Sequence, residues 1–591
     1  MSSLFYLNKY LAKYKWLLIL GIICLLVSNI FGVEMPGVVK DAVNDIFSYG
    51  QTEENTIADK FSLALIAAGL YFLFSLLKGI FLFFTRQTII MMSRKIEYDL
   101  KNEIYQQYQD LSFNFYKKNS TGDLMNRISE DVSKVRMYLG PGIMYTINLV
   151  FLFILVIYKM VKTNPELTLY VLLPLPLMSL LIYFVSSILN KRSEDVQRQQ
   201  SFLSTIVQES FSGIRVIKSH VKEKEAEKRF NREAEQYKNF SMKLATTNAF
   251  FMPTIILLIG ISTILTIYIG SLHAQSKLIE PGEIAEFVIY VNMLTWPFAS
   301  VGWVTSIIQR AAASQKRINE FLSVETEIET DKGDELDFNE AIEFDNLGIT
   351  YENSGVTALK NINLSVKKGT TLGIIGKTGS GKSSLAYLLM RLIDPTTGCI
   401  KIDGKDLKDI NLTHWRKYIG YVPQEHFLFS DTIKNNILFG VDAEEISDEQ
   451  LYQAAKDAGI HTTIEEFPEG YETMLGERGI NLSGGQKQRI SIARALIKNP
   501  DILVLDDCLS AVDNETEEHI LEAISKDLKQ KTSIIISHRI SSIKYADNII
   551  VLDDGKLIES GTHTELMKLN GAYREIYRKQ ELQSENKQNE A

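Results

Sequence analysis

Cysteine is scarce: the 591 residues contain three, Cys24, Cys399 and Cys508, far apart in the chain and forming no C-x-x-C pair. A disulfide framework and a cysteine zinc site are excluded for practical purposes. Charge is limited as well, at 23% of residues against 46% hydrophobic, with a mean hydropathy of -0.01. That average fits neither a disordered chain nor a uniformly soluble one, and a mosaic of apolar and polar blocks produces it. An excess of positive charge is also missing. With 63 Lys+Arg against 72 Asp+Glu the net charge is -9, which argues against a protein whose affinity rests on neutralising nucleic-acid phosphates. The length implies at least two domains.

The apolar blocks lie in the front half. Six runs near the length needed to cross a hydrocarbon core occur before about position 310: 16–33, 62–85, 140–162, 165–189, 249–275 and 283–307. The first is longer than a signal-peptide core and no A-x-A site follows it, so it reads as a retained helix. The loop between the second and third runs carries Arg86, Arg94, Lys95, Lys101, Lys117, Lys118, Arg127, Lys134 and Arg136, and the loop after the fourth is also basic. Only Lys40 and Lys60 fall between the first and second, so the basic loops and both termini are expected in the cytoplasm. Ile96, Leu100, Ile104 and Leu111 share one helical face, as do Val207, Phe211, Ile214 and Ile217, so both inner loops read as helices extending past the bilayer.

Several residues within the runs stand out. Lys78 interrupts the second, and it is either a pathway residue or a lysine that snorkels toward the cytoplasmic end. Tyr290, Asn292, Trp296 and Trp303 in the sixth are candidates to line a cavity for amphipathic solutes, and Pro174 and Pro176 predict a kink in the fourth.

An acidic linker over 324–340 closes the membrane domain, 1–323. From Ile342 onward short β-rich runs alternate with helical stretches, which indicates an α/β domain over 341–578, with a polar tail over 579–591. The predicted strand Thr371–Ile375 runs into Gly376-Lys377-Thr378-Gly379-Ser380-Gly381-Lys382-Ser383, a match to G-x-x-x-x-G-K-[ST] followed by Ser384. The glycines let backbone N–H groups turn inward around phosphate oxygens, Lys382 reaches the β and γ phosphates of a nucleotide, and the Ser383 hydroxyl ligates magnesium. Downstream, the apolar strand Ile502–Leu505 ends in Asp506-Asp507, whose first carboxylate is suited to the magnesium shell. Leu482-Ser483-Gly484-Gly485-Gln486 opens an amphipathic helix and forms a second phosphate-binding helix N-terminus. A monomer needs only one such element, so the pair suggests a nucleotide sandwiched between two domains of this kind.

These motifs resemble those of the ATP-binding cassette superfamily, and the six spans ahead of them resemble its half-transporter exporter branch over nearly the whole chain. The fold that follows is a membrane all-α domain of six transmembrane helices, then an α/β P-loop nucleotide-binding domain. The resemblance implies ATP and Mg2+ as cofactors, with Tyr351 stacking on adenine, Gln424 sensing magnesium and the membrane domain, and His538 as the switch histidine. It makes Ser510-Ala511-Val512-Asp513 the loop crossing a dimer interface, and it assigns Leu482–Gln486 to a partner's nucleotide. Gly476-Glu477-Arg478-Gly479 is similar to a segment that marks exporters. Short transverse helices pressing on the nucleotide domains are implied near Phe113–Thr121 and Val207–Ile214.

One departure stands out. The family carries glutamate after the magnesium aspartate to polarise the attacking water, and this chain has Asp507. The shorter side chain withdraws the carboxylate by about 1.5 Å, and catalysis is sensitive to misplacements on the order of 1 Å. The pattern resembles the degenerate subunit of a heterodimeric multidrug or lipid exporter in the cell membrane. The alternatives are a homodimer hydrolysing slowly through Asp507, and a mainly regulatory subunit completing another chain's site.

Overall fold

Long apolar sequence makes long helices in the first part of the computed structural model, which describes residues 2–48, 57–276, 278–352, 354–508, 520, 522 and 531–590. Helix α1 spans Lys15–Ser48, α2 Ile57–Asp110, α3 Phe113–Lys118, α4 Thr121–Thr163, α5 Pro165–Leu172, α6 Pro174–Ser212, α7 Ile214–Ser219, α8 Glu223–Gln275 and α9 Pro281–Leu322. At 1.5 Å per residue the 54-residue α2 is about 80 Å long, far more than the ~30 Å of a hydrocarbon core.

Among the described residues five helices, α1, α2, α4, α8 and α9, are long and apolar enough to span a membrane. The segment expected as the fourth span runs through α5 and the first part of α6, where several side chains lie outside the described residues. The chain is interrupted there because Pro174, at the first position of α6, has no N–H to continue the helical ladder.

The chain divides into two units, Met1–Tyr108 with Gly122–Val324, and Gln109–Thr121 with Glu325–Ala591. Within the first, α6 packs along α8, and α1 packs on α4 and α9. The most apolar stretch of α2 is not buried by the rest of the chain, as befits a helix facing lipid. Farther along, α2 buries Ile89, Met92, Ile96, Leu100 and Ile104, spaced by three and four residues on one face. The other inner segment differs from expectation. Leu203 and Ile206 are its buried residues, whereas Phe211, Ile214 and Val216 are exposed around the break at Gly213. Amphipathic spacing defines an apolar face without defining what covers it.

Lys78 packs sideways against α1, such that a Cβ added at Gly32 would meet its Nζ at 3.2 Å. The four candidate cavity residues of α9 do not gather in one place. At 100° per residue, Asn292, Trp296 and Trp303 fall within about 40° of one another, while Tyr290 lies on the other side. Tyr290 is accordingly buried, its hydroxyl donating to Glu286 at 2.9 Å and to the Val33 carbonyl at 3.2 Å, whereas Trp296 and Trp303 are exposed.

The second unit contains two sheets. Strands β1 (Ala341–Tyr351), β2 (Val356–Lys367), β4 (Thr397–Ile402) and β5 (Lys405–Asp406) form an antiparallel sheet in the order β2-β1-β4-β5. Strands β3 (Thr371–Gly376), β6 (Ile419–Val422), β7 (Ile502–Asp506), β8 (Thr532–Ile536), β9 (Asn548–Asp553) and β10 (Lys556–Gly561) form the other, ordered β10-β9-β3-β8-β7-β6 and parallel except at β10. Every residue of β7 and β8 is buried, the pattern of strands covered on both faces, and each buried isoleucine contributes about 1.5–3 kcal/mol. The parallel order sets the carboxyl ends of β3, β8, β7 and β6 side by side, which is where an open α/β sheet binds its ligand.

Candidate nucleotide site

Each carboxyl end in that row delivers one part of the site. Strand β3 delivers the phosphate loop, which enters helix α10 (Lys382–Leu389). The loop requires glycine at Gly381. There φ is +98°, and an added Cβ would lie 2.2 Å from the Ala358 carbonyl oxygen. Lys382 is 6% exposed, and its Nζ donates to the carbonyls of Gly376 and Lys377, both at 2.8 Å. Burial pushes its pKa down, against the pull of Asp507 and Asp506. Lys377 itself points outward to Asp553 at 3.5 Å, and Thr378 is exposed.

Strand β7 delivers Asp506, which accepts from the Ser383 hydroxyl at 3.0 Å and whose carboxyl burial pushes above its ordinary range. Two buried oxygens here, Ser380 Oγ and Asp506 Oδ2, have no hydrogen-bond partner among the described residues. Leaving such a group unsatisfied costs about 1–3 kcal/mol. A phosphate oxygen accepting from Ser380, and a divalent cation shared by Ser383 and Asp506, would relieve both, so these residues fit a magnesium nucleotide.

Asp507 follows with φ at +46°, a left-handed conformation that aspartate tolerates better than most residues. Its carboxylate lies between two other strand ends. From beyond β6, Gln424 Nε2 donates to Oδ2 at 3.4 Å; from beyond β8, His538 donates its backbone N–H to Oδ1 at 3.4 Å and places Nε2 3.9 Å from Oδ2. Burial and Lys382 lower the His538 pKa, and Asp507 raises it.

Tyr351, at the end of β1, shares a hydrogen bond with the Ser384 hydroxyl at 2.9 Å. Ser483 caps helix α11 (Gly484–Leu496): its hydroxyl accepts from Gln486 N–H at 3.3 Å while the Gln486 side-chain Oε1 accepts from Ser483 N–H at 2.8 Å. Leu482 is buried, Ser483 and Gly484 are exposed, and Gly485 is partly covered. The structure thus brings Lys382, Ser383, Asp506, Asp507, Gln424 and His538 together, and it gives the signature its own helix end. Ser510 and Asp513 lie outside the described residues.

Three further residues belong to this neighbourhood. His426 has its Nδ1 buried without a partner among the described residues, and burial lowers its pKa against the opposing pull of Asp507; its place two residues after Gln424 is the only hint in the sequence. Gln580, in helix α12 (Ala572–Glu590), donates to the His538 carbonyl at 2.6 Å and accepts from Ile540 N–H at 3.0 Å, fixing the switch loop from the C-terminal helix. Lys117 of α3 sets its Nζ 4.7 Å from the Tyr351 ring centroid and 4.9 Å from those of Tyr387 and Phe113. Around it Lys118 pairs with Glu352 at 3.1 Å, and Ser112 and Asn114 donate to Glu327 at 3.2 and 3.1 Å. A cation over one ring is worth about 0.5–1 kcal/mol at an exposed site. Lys117→Ala is therefore expected to raise the ATP concentration for half-maximal turnover about two- to fivefold, read from an ATP titration of the ATPase.

A helical membrane unit fused to a phosphate-loop domain, with a separate signature helix end, defines the class of nucleotide-binding membrane transporters. Residues 18–298 match the ABC transporter transmembrane region and residues 359–510 match the ABC transporter domain. A Bacillus subtilis protein, the probable multidrug resistance ABC transporter ATP-binding/permease protein YheI, is 36% identical over 95% of this chain and 95% of its own. The multidrug resistance-like ATP-binding protein MdlA of Escherichia coli is 34% identical over 98% and 95%. The ATP-dependent lipid A-core flippase of Syntrophus aciditrophicus is 33% identical over 95% and 91%. The structure of a bacterial Atm1-family ABC exporter with ATP bound superposes with a TM-score of 0.78 at 26% identity, covering 97% of this chain and 98% of the other. The chain belongs to the ABC transporter family.

Proposed function

We propose that this chain is one half of a dimeric exporter that uses ATP to move small amphipathic molecules, drugs or lipids, out through the cell membrane, with both termini and the nucleotide domain cytoplasmic. The multidrug and lipid-flippase names of its relatives support that cargo class, and the basic inner loops support that orientation. In this reading the phosphate loop, Gly376–Ser384, wraps the phosphates of ATP and Tyr351 stacks on its base. Ser383, Asp506 and the amide oxygen of Gln424 hold magnesium, which neutralises phosphate charge when bound. Asp507 and His538 orient the attacking water, and Leu482–Gln486 serves the partner's nucleotide. Phe211, Ile214 and Val216 are the apolar surface offered to a second chain. Helix α3, two residues beyond α2, carries membrane-domain movement to Tyr351.

The partner is a second, different half-transporter with a full catalytic glutamate, and this chain's own site turns over slowly. The observation that carries this is Asp507: it occupies the place between Gln424 and His538 but is one methylene shorter than the family's glutamate. The test is purification of the full chain from its own cells through a C-terminal tag. Recovery of an equimolar second half-transporter, with ATPase only in the pair, is the expected result. A single species with full ATPase alone overturns the heterodimer in favour of a homodimer.

A further inference from the structure

Helices α6 and α8 border an open cleft of about 270 Å³ lined by Ile188, Lys191, Arg192, Asp195, Phe240 and Lys243, of which Ile188 and the two lysines are exposed. At the ~30 Å³ that one water occupies, it has room for roughly nine waters, or a phosphate ester of similar heavy-atom count. Its position along the chain is specific: Lys191 and Arg192 follow the apolar run 165–189 after Asn190, and Lys243 precedes the run 249–275 by six residues. The cleft therefore falls where α6 and α8 leave the hydrocarbon for the headgroup zone.

The lining is built for an anion. Arg192 is half-buried and fixed at one edge, Nη1 donating to the Lys243 carbonyl at 2.6 Å and to the Thr247 hydroxyl. Its Nε and Nη2 groups make no hydrogen bond among the described residues. Lys191 and Lys243 have no carboxylate within ion-pair distance among the described residues, and Asp195 pairs with neither of them. Three cations and one acid therefore leave the cleft with a surplus of two positive charges. Asp195 is placed to accept from a headgroup hydroxyl, and Ile188 and Phe240 give an apolar rim for the first acyl carbons. We infer that this cleft binds the phosphodiester headgroup of an anionic phospholipid of the hydroxyl-bearing kind, such as phosphatidylglycerol, at residues separate from those of the nucleotide site. Basic pockets between spans on the cytoplasmic side suit anionic headgroups, each lysine strengthening the attraction about fivefold.

Lysines beyond the end of a span also arise from topology alone, so the test compares two equal losses of charge. Short-chain phosphatidylglycerol and phosphatidylcholine are titrated onto the full-length transporter and counted by native mass spectrometry. Lys191→Gln with Lys243→Gln is set against Lys15→Gln with Lys95→Gln, which removes the same charge beside the first two spans. The first pair is expected to weaken phosphatidylglycerol binding roughly 25-fold, and the second pair less than about twofold. Phosphatidylcholine binds weakly to all. Phe240→Ala, which keeps every charge, weakens the lipid but leaves sn-glycerol 3-phosphate unaffected. Equal effects of the two pairs, or none from the first, overturn the site. If sn-glycerol 3-phosphate displaces the lipid at equal concentration, the cleft is a soluble phosphate site and the lipid assignment falls. None of these readouts depends on the exporter reading or on orientation.

Discussion

Ser483→Arg is expected to abolish most of the ATPase of the assembled transporter, whereas Asp507→Asn is expected to lower it by less than about twofold. The inequality follows from which nucleotide each residue serves. Ser483 sits at an exposed helix end, and the next position is open, since a Cβ added at Gly484 would meet nothing within 4 Å. An arginine at this exposed end projects into the space that, in the proposed dimer, a partner's γ-phosphate enters. In the proposed heterodimer Asp507 acts in this chain's own site, where a carboxylate withdrawn by about 1.5 Å would forfeit on the order of a hundredfold in rate and leave little turnover to lose. Ser483 is also a helix cap, and losing it costs about 0.5–2 kcal/mol. Ser483→Ala isolates that cost, and it should retain much of the activity that Ser483→Arg removes. The measurement is steady-state ATPase of the reconstituted complex. If Asp507→Asn proves as damaging as Ser483→Arg, both sites are catalytic and the homodimer is the better reading.

The parts of the nucleotide site that are legible in the sequence are those whose chemistry is local. The phosphate loop, the Ile502–Asp506 strand and the Ser483 capping box each carry their function in a few consecutive residues, and a parallel sheet then aligns their ends. Lys117 and Gln580 are illegible for the opposite reason. Lys117 reaches Tyr351 from 234 positions away in the sequence and Gln580 reaches His538 from α12, 42 positions on, and no spacing rule couples such pairs before the fold exists. The antiparallel β2-β1-β4-β5 sheet is likewise formed by pairing, which alternation of strand and helix does not reveal. The misplaced grouping on α9 was different in kind. Residues 290 and 292 differ by 200° around a helix, so Tyr290 belongs with the buried face, and angular arithmetic alone separates it from Asn292, Trp296 and Trp303.

Lys382→Ala should weaken nucleotide binding at this chain's site about 10- to 150-fold. The charge-assisted contact from an ammonium to phosphate is worth roughly 1.5–3 kcal/mol, and nothing else in the loop replaces it. Asp506 and Asp507 lie close enough to oppose the lowering of the Lys382 pKa by burial, so without the ammonium an incoming triphosphate meets two carboxylates with no fixed positive charge between them. The substitution also removes the hydrogen bonds to the Gly376 and Lys377 carbonyls, so some loss of stability accompanies it in the absence of nucleotide. Thermal unfolding with and without ligand separates the two effects. At a nucleotide concentration a hundred times its dissociation constant, the wild-type domain gains about 2.7 kcal/mol, and the variant at that same concentration gains far less. Titration with a fluorescent ATP analogue gives the affinity directly. Labelling of the variant equal to wild type would show that Lys382 makes no contact with phosphate, and the assignment of Gly376–Ser383 as the phosphate cradle would fall with it.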